Sequence, residues 1–400
     1  MSATDSAVCV DHHQGGAARW TRRALVSLGG LMLLAGCQTY TPFLDANGRA
    51  NEDMAAVIDT YVKLGAKPVH LLTVDQARTQ PTLGDAVRAV KAAQTGRPFT
   101  ADVFTQVRDL QVDGAAGPLQ ARLYDATPGR AGEPIILYFH GGGWVTGDLN
   151  TYDASDRALA SQAHAKVLSV AYRLAPENKF PAAHDDAFAS YRWLLANAAS
   201  LGADPRRIAV AGESAGGNLA INVSIAARDA HIRPPVHELL IYPVAGADTM
   251  TPSYIANQAA VPLGREDILW YVKNTVNSPA DLQDPRLDLI GKADLHNLPP
   301  TTIVSAEIDP LESDGTFLTY KLQAQGVTVD RIEYGGTTHE FFGMGAVVAR
   351  AGDAEAFAAK ALDATFDKIG NPPAPVVSRG AAVRRRAAAR RAAVRRAHRH

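Results

Sequence analysis

The stretch VAGESAGGN, Val210 to Asn218, sets a serine between glycines in the pattern G-x-S-x-G. An apolar run that reads as a strand leads into it, and a segment that reads as a helix follows. In that context the pentapeptide is a nucleophile elbow, a tight turn that lifts Ser214 above a sheet edge. Gly212 and Gly216 leave room for the turn, and the helix directs its first amides and positive dipole end at the same spot. A serine hydroxyl is a weak nucleophile at neutral pH, so it needs a base, and that base needs an acid to hold its tautomer.

Such partners follow in the order serine, acid, histidine, each on a loop leaving the carboxyl end of a strand. His339, in GGTTHEFFGM, is the only histidine between His296 and the C-terminal tail. Asp309, in AEIDPLESDG, comes directly after the apolar run TTIVSAE, and Asp314 is its nearest competitor. Position favours Asp309, because a residue at a strand's end is held more rigidly than one farther into the loop. Attack on a carbonyl also creates an oxyanion, and preorganised amides aimed at it contribute about 3 to 4 kcal/mol each. The run YFHGGGWVTG, Tyr138 to Gly147, supplies bare backbone for that purpose. Gly142 and Gly143 are the expected donors there, with Ala215 as the third. A β-branched residue at Gly142 or Gly143 should accordingly slow turnover far more than it lowers stability. His140 is expected to hold the glycine loop by hydrogen bonding, and Arg173 is expected to pair with Glu177 to fix the YRLAPE loop.

These residues need a frame, and the chain's periodicities describe one. Residues 37–103 are mostly helical in pattern, with apolar positions three and four apart in EDMAAVIDTYVKLGA and LGDAVRAVKAAQ. FTQVRDLQVDG and PLQARLYDA then alternate like antiparallel strands around a turn at Asp113 to Gly117. Beyond Gly132, PIILYFH, AKVLSVAY, RIAVAG, HELLIYP, TTIVSAE and TVDRIEY read as strands, with helices such as Ala183 to Ala198 and Asn218 to Ala230 between them. Apolar strands joined by helices indicate an α/β class: a mainly parallel sheet of about eight strands flanked by helices, with the two early strands on its antiparallel edge. The catalytic domain is placed at 104–370. Within it, 244–277 has no strand pattern, and REDILWYVKNTV is amphipathic. Together with the N-terminal helices, this insertion is expected to form a helical cap over the sheet's carboxyl edge, with Trp144 and Trp270 as walls of a substrate pocket.

The ends of the chain belong to neither sheet nor cap. Arg19, Arg22 and Arg23 precede the apolar run ALVSLGGLMLLAGC, which is too short to span a bilayer and suits a signal-peptide core. Its ending LAGC resembles a lipobox, which implies cleavage after residue 36, lipidation of Cys37 and an exported, membrane-anchored enzyme in a bacterial envelope. TRRALV also resembles a twin-arginine signal. Cys9 and Cys37 are the only cysteines, and Cys9 would be removed, so no disulfide and no thiolate metal site is expected. Residues 371–400 are arginine- and alanine-rich with almost no apolar face, and read as a solvated tail. Its nine arginines leave −10 of the overall −1 charge on residues 1–378. Contact of Arg384–Arg399 with an anionic surface is one role for such a tail, and no specific nucleic-acid partner is expected.

HGGGW, YRLAPE, FPAAHDD, GESAGGN, DPLESDG and THEFFGM together resemble, in order and spacing, the motifs of the bacterial hormone-sensitive-lipase-like esterases, an α/β-hydrolase family. The resemblance covers about Val107 to Phe366. It implies hydrolysis of carboxylic esters by Ser214, Asp309 and His339, with the glycine loop and Ala215 as oxyanion hole, and neither metal nor organic cofactor. Two positions depart from the pattern, Ser313 where an acid is common and Leu287–Asp288 where a Ser-Pro pair is common, and neither is catalytic in the comparison. The expected substrates are short- to medium-chain esters cleaved through an acyl-enzyme. Deacetylation of a surface polysaccharide would use the same triad, and a binding protein that has lost the chemistry would keep only the fold.

Overall fold

The computed structural model describes residues 48–100 and 106–370. The expected export segment, Cys37 and the basic tail with Arg384–Arg399 lie outside them. Three helices come first: α1 (Glu52–Lys63), α2 (Val74–Thr79) and α3 (Leu83–Thr95). Thr73 and Thr82 start α2 and α3 with reciprocal capping boxes, through Gln76 and Asp85. Gly96, at φ 66°, ends α3 in the left-handed conformation that glycine adopts without cost.

The hairpin β1 (Gln106–Gly114) and β2 (Gly117–Asp125) follows, and then β3 (Glu133–Phe139), α4 (Asp153–Gln162), β4 (Lys166–Val170), α5 (Ala182–Asn197), β5 (Ala203–Glu213) and α6 (Ala215–Asp229). The chain continues through β6 (Glu238–Ile241), the short α7 (Pro252–Ala256), α8 (Arg265–Thr275), α9 (Leu289–Lys292), β7 (Thr301–Ile308), α10 (Glu312–Ala324), β8 (Val329–Thr338) and α11 (Ala349–Ile369). The strands form one sheet in the order β1-β2-β4-β3-β5-β6-β7-β8. Only the β1–β2 and β2–β4 pairings are antiparallel, so the early hairpin sits on the sheet's edge as its alternation requires.

Every residue of β3 is buried, and its side chains divide by parity. Ile135, Leu137 and Phe139 join the core under α5, α6 and α10, while Ile136 and Tyr138 join the core under α1, α3, α4 and α11. A strand covered on both faces reads as a continuous apolar run, which is why PIILYF shows no polar alternation. β8 runs farther than its apolar pattern, to Thr338 rather than Tyr334. Gly335 and Gly336 look like a strand's end, yet Gly336 N donates to Glu307 Oε2 at 2.8 Å across an irregularity in the β7–β8 register, and the strand continues. That extension carries His339 to the same edge as the loops after β3, β5 and β7.

Candidate active site

β5 ends at Glu213 and α6 begins at Ala215, so Ser214 makes the turn alone, at φ 56° and ψ −117°. For a residue with a side chain this conformation costs on the order of 1–3 kcal/mol and must be held by its surroundings. Ser214 N donates to Ile241 O at 2.8 Å, and Ser214 O accepts from Asn218 N and Val244 N, both at 3.2 Å. The packing leaves no space for side chains on either side. A Cβ on Gly212 would lie 2.2 Å from Gly216 O, and one on Gly216 would lie 1.9 Å from Phe139 O. Beneath the turn, the buried Glu213 carboxylate accepts hydrogen bonds from the hydroxyls of Tyr138 and Tyr242. Burial pushes Glu213 up to about 7 against those bonds. The variable position of G-x-S-x-G carried no signal that it would be the elbow's anchor.

His339 follows β8 and Asp309 follows β7, and His339 Nδ1 donates to Asp309 Oδ2 at 2.7 Å. A carboxylate only accepts, so Nδ1 carries the proton and Nε2 is left with its lone pair. Burial alone would lower the His339 pKa. The Asp309 charge and hydrogen bond, with Glu340 and Glu213 adding to them, outweigh it and raise the pKa above the ordinary imidazole value. Asp314 is engaged elsewhere: its Oδ2 accepts from Ala245 N at 2.8 Å and Gly246 N at 2.9 Å, and burial pushes it up to about 7. It fastens the start of the insertion to α10.

The glycine loop leaves β3, whose parallel neighbour is β5. Gly142 and Gly143 have φ of 94° and 56°, and the amides of Gly142, Gly143 and Ala215 donate to no described residue. Ala215 is the first residue of α6, where an amide has no partner within its own helix. His140 is fully buried and kept neutral, its pKa lowered to about 4 by burial, and Nδ1 donates to Gly141 O at 2.8 Å. Tyr172 Oη donates to His140 O at 2.8 Å, so the loop's entry is held on both sides.

The glycines also meet a packing demand. A Cβ on Gly142 would stand 2.3 Å from Thr146 O, and one on Gly143 would stand 2.4 Å from the Tyr271 ring. The expectation that β-branched replacements spare stability is therefore corrected, because the added atoms meet the turn itself and the cap. Gly143→Val is expected to cost about 1–3 kcal/mol of stability, seen as a lowered Tm in calorimetry, beside its loss of turnover. An unchanged Tm would contradict the contact with Tyr271.

Ser214, His339, Gly142, Gly143 and Trp144 line one cavity of about 130 Å³. Asp309 lies fully buried behind His339. Tyr61, Ala77 and Leu83 from the N-terminal helices and Leu263, Ile268, Tyr271 and Val272 from the insertion form its other walls. Trp144 is where it was expected. Trp270 is not: Tyr271, the next residue, faces the cavity, its hydroxyl 3.1 Å from Thr146 Oγ1, and Trp270 packs edge-on against it. A helix turns about 100° per residue, so the choice between adjacent aromatics is a choice of face.

The Arg173–Glu177 pair is a second correction. Arg173 Nε and Nη2 hold Asp186 at 2.7 and 2.9 Å, while Glu177 accepts from both terminal nitrogens of Arg78 at 2.7 and 2.8 Å. Arg78 Nε also donates to Val145 O at 2.9 Å, and Nη2 to Ala175 O at 2.8 Å. One guanidinium on α2 thus ties the helices before the sheet to the glycine loop and to YRLAPE. A larger groove of about 660 Å³ between α5 and α6 shares no lining residue with the serine's cavity.

A sequence description of the α/β-hydrolase fold matches residues 136–343. The chain is 38% identical over 307 residues to carboxylesterase NlhH of Mycobacterium tuberculosis, covering 74% of this chain and 94% of that one. It is 34% identical to ethyl acetate hydrolase of Pseudomonas putida, covering 78% and 98%. Among solved structures, an esterase of Pyrobaculum calidifontis superposes with a TM-score of 0.68 at 32% identity, over 76% of this chain and 96% of that one.

Proposed function

The chain belongs to the hormone-sensitive-lipase-like esterases of the α/β-hydrolase fold and is an ester hydrolase, and from that premise we propose that it works through an acyl-enzyme formed on Ser214. The reading rests on one contact above all, the 2.7 Å bond from His339 Nδ1 to Asp309, which leaves Nε2 basic in the cavity that Ser214 lines. His339 takes the Ser214 proton as Oγ attacks the ester carbonyl, and the tetrahedral oxyanion takes hydrogen bonds from the free amides of Gly142, Gly143 and Ala215. Collapse breaks the bond to the alkoxy oxygen, which leaves as the alcohol with the proton from His339. Water then loses a proton to His339, attacks the acyl carbonyl and releases the acid, returning the proton to Ser214.

A cavity of about 130 Å³ under two sets of helices favours the short end of the acyl range. The name of the Pseudomonas putida relative, an ethyl acetate hydrolase, points the same way. Export and anchoring through Cys37 are part of this proposal and are supported by the arginines and apolar run ahead of Cys37 and by the LAGC ending. Incubation with an alkyl fluorophosphonate is expected to add one adduct, mapped by mass spectrometry to the peptide containing Ser214, and to abolish hydrolysis of nitrophenyl acetate and butyrate. Ester hydrolysis that survived complete labelling, or an adduct on another serine, would remove the acyl-enzyme from the account.

A further inference from the structure

Glu340 follows His339 directly and is held at φ 63°. A residue with a side chain is uncommon in this left-handed region, and strain of this kind persists where the surroundings over-determine it. Its carboxylate is half-buried and lines the cavity with Ser214 and His339. One oxygen, Oε1, accepts from Tyr152 Oη at 3.0 Å, and the carboxylate makes no other hydrogen bond or ion pair with a described residue. No cation among the described residues is bonded to it. The guanidinium of Arg78, on the same cavity, is spent on Glu177 and two backbone carbonyls. Three tyrosine rings, Tyr61, Tyr152 and Tyr271, line the cavity with it, beside the indole of Trp144.

A second cavity of about 550 Å³ lies against the first and shares Leu83, Thr151, Tyr152 and Glu340 as lining residues. Its charged lining adds Asp153, Glu213 and Glu355 against Arg88 and Arg157. Arg157 is bonded to Asp153 at 2.6 Å, and Arg88 to Asp85 at 2.6 Å. With both arginines bonded to aspartates, this lining leaves no unpaired positive charge for Glu340 among the described residues.

We propose that Glu340 is a specificity-determining residue that receives a positively charged group on the alcohol portion of the ester, so that ammonium-bearing alkyl esters are preferred over neutral esters of the same shape. The inference rests on the esterase reading, which also fixes the side of the substrate. His339 protonates the departing alkoxy oxygen, so the alcohol lies on the His339 side of the scissile bond, and Glu340 is the next residue along. A carboxylate with one oxygen unbonded, in a cavity lined by tyrosine rings, can combine an ion pair with cation–π contact, the two attractions that suit a weakly hydrated ammonium. The strain at φ 63° is understandable on the same basis, since it turns the carboxylate toward the cavity beside the base.

The test uses the full chain and two acetates of equal shape, 2-(trimethylammonio)ethyl acetate and 3,3-dimethylbutyl acetate. The wild type is expected to favour the cationic ester in kcat/KM by about ten- to a hundred-fold, the combined range of a desolvated cation–π contact and an ion pair, since the quaternary ammonium has no N–H to donate. Glu340→Gln should collapse that ratio towards one, mainly by raising KM for the cationic ester. Any general loss through His339 lowers both rates and cancels in the ratio. Glu340→Gly, which suits the left-handed backbone, is the second variant and should lose the same preference. A wild type that cleaves both esters without preference, or variants that keep the preference, would overturn the assignment and leave the esterase reading standing. Failure to cleave either ester would overturn both.

Discussion

Ser214→Ala is expected to lower kcat for nitrophenyl butyrate by about 10⁶-fold, with the folded state and ester binding retained. The size follows from the division of labour at the elbow. Without Oγ no acyl-enzyme forms, and what survives is the oxyanion hole and the bound geometry, which alone supply about 10³–10⁴ over water. Folding is expected to hold, because the strained turn is fastened by backbone bonds to Ile241, Asn218 and Val244 and not by the serine hydroxyl. Alanine in that turn keeps the same Cβ contacts. Steady-state kinetics with an active-site titration, to exclude contaminating wild type, would check it. Residual activity above about one part in 10³ would show that the serine is not the nucleophile.

Asp309→Asn should produce the second-largest loss, about 10⁴-fold in kcat/KM near neutral pH, because the imidazole loses both its tautomer and the charge that supports its protonated state. The pH profile carries a separate signature. Only neutral His339 can accept the serine proton, so activity rises as pH climbs through the His339 pKa of the free enzyme. Asp309 holds that pKa above the usual imidazole value of about 6.5, which places the acid limb of the wild type above it. In the variant, burial acts with much less opposition, and the limb should move to lower pH. Measuring kcat/KM from pH 4 to 9, a range chosen to span both limbs, would decide it. An acid limb that stayed in place would mean that the aspartate acts by position alone.

What sequence could show about this site divides along physical lines. The placement of Ser214, Asp309 and His339 at one sheet edge was legible because each follows a short apolar strand, and a parallel sheet brings the carboxyl ends of its strands together. Asp309 could be ranked over Asp314 from rigidity. The reason Asp314 is excluded, two amides of the insertion already bonded to it, needed the fold. Local periodicity also placed α8 and the N-terminal helices, but not which face of α8 meets the site, so Trp270 stood in for Tyr271. Long-range pairs were illegible for a simpler reason. Arg78 and Glu177 are 99 positions apart and Arg173 and Asp186 are 13 apart, so the near neighbour Glu177 looked like the partner of Arg173. Glu340 and Glu213 stood in plain view within two motifs, yet nothing in their spacing distinguishes a carboxylate facing the cavity from one buried beneath a turn.

The contact between Gly143 and Tyr271 has a further consequence for how such enzymes diversify. The glycine loop and helix α8 come from distant parts of the chain, yet a Cβ on Gly143 would stand 2.4 Å from the ring of Tyr271. A lineage is therefore not free to exchange its cap as an independent module. A transplanted helix must present a side chain whose shape complements a bare backbone at 143, or the catalytic loop is displaced in making room. Specificity and rate enhancement are then expected to be inherited together, and new substrates to be reached more readily by altering other walls of the cavity, such as Ile268 and Tyr61, than by replacing the cap outright.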